Sequence, residues 1–258
     1  MNITVLGSGS AFTLNNYHTS YLLDLTSDNG IKPKRLLIDC GSDARHSLNK
    51  IGLSQKDIQA VYISHLHGDH CGGLEWLGFS TYFDPECDRP ELFIPESLID
   101  PLWNSVLRGG MESAEGDILQ LKDYFGVFPL ETNREMNWWG SAINIIQTPH
   151  IVSAFRTVYS YSLMISIAGK KILLAIDTQF CPELMEDFYN KADLIFHDCE
   201  TLAFKSDAHS HYEDLKTLPD EIRAKMILTH FQDNGPMDYD ACADGFKCFA
   251  EPGMVVDL

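Results

Sequence analysis

Apolar positions along this chain fall into short runs, each ended by glycine or small polar residues, a pattern that predicts many short strands with helices between them. "NITVLG" reads as a strand entering the glycine-rich loop "SGSAF". "SYLLDL" and "KRLLIDCG" read as two further strands across the polar turn "TSDNGIKPK". "DARHSLNKIG" has helical periodicity and stops at Gly52, and "DIQAVYIS" is a buried strand. After it, Gly72 and Gly73 are expected to turn the backbone sharply so that "LEWLGFSTYF" can begin a helix. "ELFIPESL" reads as strand then helix, and 97–125 is mostly helical in composition. "AINIIQTPH", "SYSLMISIAG" and "KKILLAID" are strands, the last two joined by a hairpin at Ala168-Gly169-Lys170. "PELMEDFYNKA" is a helix, "DLIFHD" a strand, "HYEDLKTLP" and "DEIRAKM" helical pieces, and "MILTH" a strand. "CFAEPGMVVDL" closes as turn and strand.

Strands backed by helices in the first half, and again in the second, predict an α/β fold with two sheets face to face and helices outside. The 258 residues are 45% hydrophobic, enough for a sizeable core, and no repeat, low-complexity tract or linker divides them. One domain over residues 1–258 is the expectation. Nineteen Lys+Arg against 37 Asp+Glu leave a net charge of −18. Such a surface repels phosphate backbones within about a Debye length, ~8 Å at physiological salt, so long nucleic acids and anionic membranes are disfavoured partners. The seven cysteines are scattered, with no C-x-x-C pair; the N-terminus lacks a secretory pattern, and no apolar stretch reaches a membrane span. A reducing cytoplasm is expected, with most cysteines buried as small apolar residues.

The chemistry concentrates in "ISHLHGDHCGGL", where His65, His67, Asp69 and His70 crowd together at the end of a strand. Imidazole suits zinc and its neighbours, and a carboxylate can bridge two cations. In an extended segment His65 and His67 point the same way, while Asp69 and His70 can address a second ion. The grouping exceeds what one metal needs, so it predicts a pair of cations roughly 3.5–4 Å apart with a hydroxide between them. The "GSGSAF" stretch, by contrast, is not a dinucleotide fingerprint, because Phe12 stands where the third glycine belongs.

The His-x-His-x-Asp-His run resembles the signature of the metallo-β-lactamase fold superfamily. Further matches continue in order at His150 in "QTPHIV", Asp177 in "AIDT" and His230 in "ILTHF". The resemblance implies a four-layer αββα sandwich. It also implies that His65, His67 and His150 hold one metal, that Asp69, His70 and His230 hold the other, and that Asp177 bridges both. Two divalent ions follow, zinc foremost, with manganese, iron or nickel also compatible with these donors.

"FHDCETLAFKSDAHSHYEDL" is similar to the paired motifs of tRNA 3′-processing endonucleases and related phosphodiesterases, His-Glu-Ala-Thr and Gly-His-Ser-Thr. Here they stand as His197-Asp198-Cys199-Glu200 and Ala208-His209-Ser210-His211. By that resemblance Asp198 orients a histidine that protonates the departing oxygen. Asp198 is shorter than the usual glutamate and His211 replaces threonine, so either His209 or His211 could be the acid, with His209 preferred.

The branch implies a phosphodiester substrate. Its tRNA-processing members carry a basic arm, whereas the candidate insertions here, "FDPECDRPE" and "RGGMESAEGDILQ", are acidic on balance. A small diester is the better expectation, and the chain also resembles the smaller phosphodiesterases that open 3′,5′-cyclic nucleotides, phage enzymes of the anti-Pycsar type among them. An RNA phosphodiesterase, a lactonase or ester hydrolase, and a non-enzymatic nucleotide binder are the alternatives. Phe12, Tyr17, Trp103, Trp138, Trp139 and Phe155 are candidate base-stacking aromatics, although ordinary core or interface packing is the preferred account of each. Relatives of this branch commonly form homodimers, which the resemblance extends to this chain.

Overall fold

The computed structural model describes residues 1–25, 34–132 and 134–258. The chain divides into two compact units. The first comprises Met1–Gly7, Tyr17–Glu131 and Pro252–Asp257. Its seven-stranded sheet runs, edge to edge, Val255–Asp257, Asn2–Gly7, Ser20–Leu25, Lys34–Ile38, Ala60–Tyr62, Glu91–Pro95 and Gly126–Leu130. The first strands pair antiparallel, and the sheet becomes parallel from Lys34–Ile38 onward. Helices Ala44–Lys50 and Leu74–Tyr82 pack on it through Leu48, Leu74 and Leu77, which join Leu22, Leu37, Val61 and Leu92 in one buried cluster.

The second unit comprises Ser8–Asn16, Thr132–Glu251 and Leu258. Its sheet is also seven-stranded, in the order Cys248–Phe249, Met226–Thr229, Leu194–Asp198, Lys170–Ala175, Thr157–Ile167, Ser141–Val152 and Met136–Trp138. Helix Pro182–Lys191 begins with proline in its first turn and buries Met185 and Tyr189 against Leu173, Ile195 and Met226. The hairpin at Ala168-Gly169 has positive φ at both residues, 50° and 80°, as a two-residue turn between twisted antiparallel strands requires.

Most expected elements are present, and the departures have physical causes. The turn "TSDNGIKPK" lies largely outside the described residues. The helical stretch 97–125 is interrupted by a small antiparallel pair, Ser113–Ala114 with Asp117–Ile118, around Gly116 at φ 88°. Gly72 and Gly73 do not turn the chain through a left-handed conformation; both are near right-handed helical values, φ −65° and −85°. They are glycine because backbone crowds them: a Cβ on Gly73 would stand 2.3 Å from the Gly41 carbonyl oxygen, and one on Gly72 2.5 Å from that of Gly68. Only Cys40, Cys71 and Cys199 of the cysteines are fully buried; Cys242 is exposed, so most are not interior as expected. No helix among the described residues is long and apolar enough to cross a membrane.

Candidate metal centre

In the first unit the donors follow strand Ala60–Tyr62. His65 lies on the irregular stretch after it, His67 has extended backbone (φ −71°, ψ 150°), and the next residues close a single helical turn, Gly68–Cys71, that carries Asp69 and His70. The rings of His65 and His67 are 4.6 Å apart, those of His65 and His70 4.2 Å, and His70 Nε2 is 3.2 Å from Asp69 Oδ2. Buried Asp39, at the end of the neighbouring strand and at φ 60°, organises this group. Its carboxylate accepts from Ser64 N (2.8 Å), Ser64 Oγ (2.7 Å) and His70 Nδ1 (2.7 Å). With its hydroxyl proton given to Asp39, Ser64 Oγ accepts from His65 Nδ1 at 3.0 Å. One carboxylate thus fixes two imidazoles in the tautomer that leaves Nε2 as the electron-pair donor, the second layer typical of histidine metal ligands. Sequence reading passed over Asp39; its signal was the aspartate ending "RLLID". Burial pushes the adjacent Cys71 thiol up to about 12, so it stays protonated and is no competing ligand.

In the second unit His150 does not follow its strand, as expected, but sits inside Ser141–Val152, where pairing shifts between Pro149 and Ile151. It is the extra residue of a β-bulge, a device that re-aims a side chain. His150 Nδ1 donates to the Ala208 carbonyl at 2.9 Å, which leaves Nε2 as its donor atom, 3.8 Å from Asp177 Oδ2. His230 Nε2 is 3.4 Å from the same oxygen. Asp177 and His230 lie just beyond the ends of strands Lys170–Ala175 and Met226–Thr229 with positive φ, 39° and 59°, conformations that cost energy at non-glycine residues and concentrate at functional sites. Asp198 ends strand Leu194–Asp198; its Oδ2 accepts from Thr178 N and from His209 Nδ1, each at 3.0 Å, and its Oδ1 lies 3.5 Å from His230 Nδ1. The His209 ring stacks on His230 (centroids 4.8 Å) and meets the edge of His150 (5.0 Å). Donor atoms of Asp177, Asp198, His209 and His230 all lie within 4.8 Å of one another.

These spacings test whether the residues suit a cation. Two donors each about 2.0–2.2 Å from one tetrahedral ion stand about 3.3–3.6 Å apart. The 3.4 Å and 3.8 Å separations at Asp177 fall in or near that range and exceed hydrogen-bond length. The donor set therefore fits a divalent metal.

His211 is placed differently. Its Nε2 donates to the Leu202 carbonyl and its Nδ1 accepts from Glu213 N, capping the turn Tyr212–Leu215. Both nitrogens serve the backbone, whereas His209 faces Asp198 and the two histidines. Buried Glu200, named in the motif but given no role there, accepts from Ser206 N at 2.7 Å and ties down the loop that carries His209. Of the aromatics, Trp138 is buried in the second unit; Phe12 and Phe155 are 93% and 98% exposed. Phe12 rides on a loop latched to Asp233, which accepts from Thr13 Oγ1, Leu14 N and Asn16 Nδ2. That loop also binds the residue after His230, through Ser10 N and the Phe231 carbonyl at 3.0 Å.

A family model described as "Anti-Pycsar protein Apyc1" matches residues 1–256. An Apyc1 of Paenibacillus sp. (strain J14) is 35% identical over 240 residues, 91% of this chain and 90% of its own length. One from Bacillus phage vB_BveM-Goe7 is 31% identical over 266 residues, covering 99% and 98%. Among solved structures, the metallo-β-lactamase fold protein YhfI of Bacillus subtilis superposes over 99% of this chain and 98% of its own, with TM-score 0.76 at 20% identity. With its two large sheets and ordered donor residues, this α/β chain has the metallo-β-lactamase fold and belongs to the Apyc1 family of anti-Pycsar proteins.

Proposed function

We propose that the protein is a dinuclear metal phosphodiesterase that opens a small diester, foremost a 3′,5′-cyclic nucleotide, with residues 1–258 acting as one catalytic domain. His65, His67 and His150 would hold one divalent cation and Asp69, His70 and His230 the other, with Asp177 shared; zinc is the first choice for so imidazole-rich a set. Bound cations would supply the charge that neutralises a phosphoryl oxygen and would lower the pKa of a coordinated water.

The rest of the chemistry belongs to the chain. Opening a cyclic nucleotide expels a sugar alkoxide, which needs a proton at neutral pH. Asp198 Oδ2 holds the Nδ1–H of His209, so the opposite nitrogen, Nε2, is aimed and kept charged for donation. The observation that carries the reading is this pair: a carboxylate-oriented imidazole stacked against His230 and His150, within reach of anything their donors bind. A lactonase also expels an alkoxide, but membership of an anti-Pycsar family agrees best with an enzyme aimed at cyclic-nucleotide signalling. The acidic surface supports a small substrate, a reducing cytoplasm is the proposed compartment, and a homodimer is the proposed assembly.

Metal-replete protein offered cyclic mononucleotides, cyclic dinucleotides and pre-tRNA provides the test. Ring opening of a cyclic nucleotide is expected; cleavage of pre-tRNA with every cyclic nucleotide left intact would overturn the proposal.

A further inference from the structure

His197, first residue of the "HDCE" motif, has no part in the chemistry above, yet it is fully buried on a strand whose same-face neighbours Ile195 and Cys199 belong to an apolar cluster. A polar side chain there costs about 1–3 kcal/mol unless its hydrogen bonds are made. Both are made. His197 Nδ1 donates to the Asp198 carbonyl at 2.7 Å, so Nε2 accepts from the Tyr189 hydroxyl, also at 2.7 Å. Tyr189 is buried and comes from helix Pro182–Lys191. Asp198 is the last residue of its strand, and the His197 side chain binds its carbonyl.

From this chain of contacts we infer that Tyr189 and His197 are positioning residues: they fix the Asp198 peptide, and so the aim of its carboxylate at His209. The inference rests on the reading of His209 as acid. Without the Tyr189 hydroxyl, Nε2 loses its donor and the imidazole keeps only one of the two bonds that fix it, which loosens its hold on the Asp198 carbonyl. The carboxylate then wanders relative to His209, and misplacement by a fraction of an ångström lowers proton-transfer efficiency.

The test compares Tyr189→Phe, His197→Leu and His197→Asn, whose amide can still donate from the Nδ1 position, with Glu186→Gln on the exposed side of the same helix as control. Each metal-replete variant is assayed on 3′,5′-cyclic AMP, whose leaving group needs a proton, and on bis(p-nitrophenyl) phosphate, whose leaving group does not. Expected on cyclic AMP is a kcat loss of roughly 3–10-fold for Tyr189→Phe and 30–100-fold for His197→Leu, with partial rescue in His197→Asn, while the nitrophenyl rate stays within about 2-fold. The downfield NMR resonance of the His209 Nδ1 proton should move in Tyr189→Phe. Equal losses on both substrates, tracking Tm, would mean a purely structural role and overturn the inference, as would an unmoved resonance. If wild-type protein cleaves neither diester, the functional reading fails separately and the resonance alone decides.

Discussion

A histidine whose Nδ1–H is committed to a fixed acceptor has only Nε2 to offer a cation. His65, His70 and His150 are all in that state, held by Ser64, Asp39 and the Ala208 carbonyl. Asp39→Ala should therefore weaken metal binding about 10–100-fold although it replaces no proposed ligand, measurable by competition with a chelator. Asp177→Ala should abolish metal loading altogether, read by elemental analysis. His209→Ala should keep its metal and lose roughly 10²–10⁴-fold in rate on a cyclic nucleotide, but less on a nitrophenyl ester. In metal-free protein burial opposes charge on His209, but Asp198, with Asp177 and Glu200, outweighs it and lifts the imidazole from 6.5 to about 10. Because the folded value exceeds the unfolded one, this charge stabilises the fold fully below pH 6.5, and the stabilisation drains away as pH rises through about 10. The urea midpoint of metal-free protein should fall over that window, and Asp198→Asn should flatten the fall. Cations bound nearby repel the imidazolium, so metal loading should lower the NMR titration midpoint of His209.

Periodicity located the strands that deliver these residues because each buries a nearly continuous apolar run, "VLG", "LLI", "AVY", "LIF" or "MILT". The spacing of the other donors was legible for the same reason: all but His150 lie beyond the end of such a run. Three features were not legible. The bulge at His150 depends on cross-strand register, which a single strand does not reveal. Asp39 acts through Ser64 and His70, residues remote from it in sequence. The purpose of Gly73 is a backbone approach from Gly41, invisible until the chain is folded. Gly73→Ala must push that carbonyl away and with it the segment around the helical turn bearing Asp69 and His70. It should cost about 1–3 kcal/mol and reduce metal occupancy, seen as a lower Tm together with weaker loading.

Over the whole chain, 37 acidic against 19 basic residues make a surface that long polyanions avoid. Excess tRNA at low salt should therefore leave cyclic-nucleotide turnover unchanged, and inhibition that fades with added salt would contradict the charge argument. The displaced residue at position 150 has a further consequence. Beyond it only the pairs Ile151 with Val158 and Val152 with Thr157 precede the turn at 153–156, while the ladder from Ala142 to Pro149 is anchored independently. The hairpin tip, with Phe155 standing wholly in solvent, can thus be swapped, shortened or extended as a module, and neither the alignment of the long strands nor the imidazole they present need change.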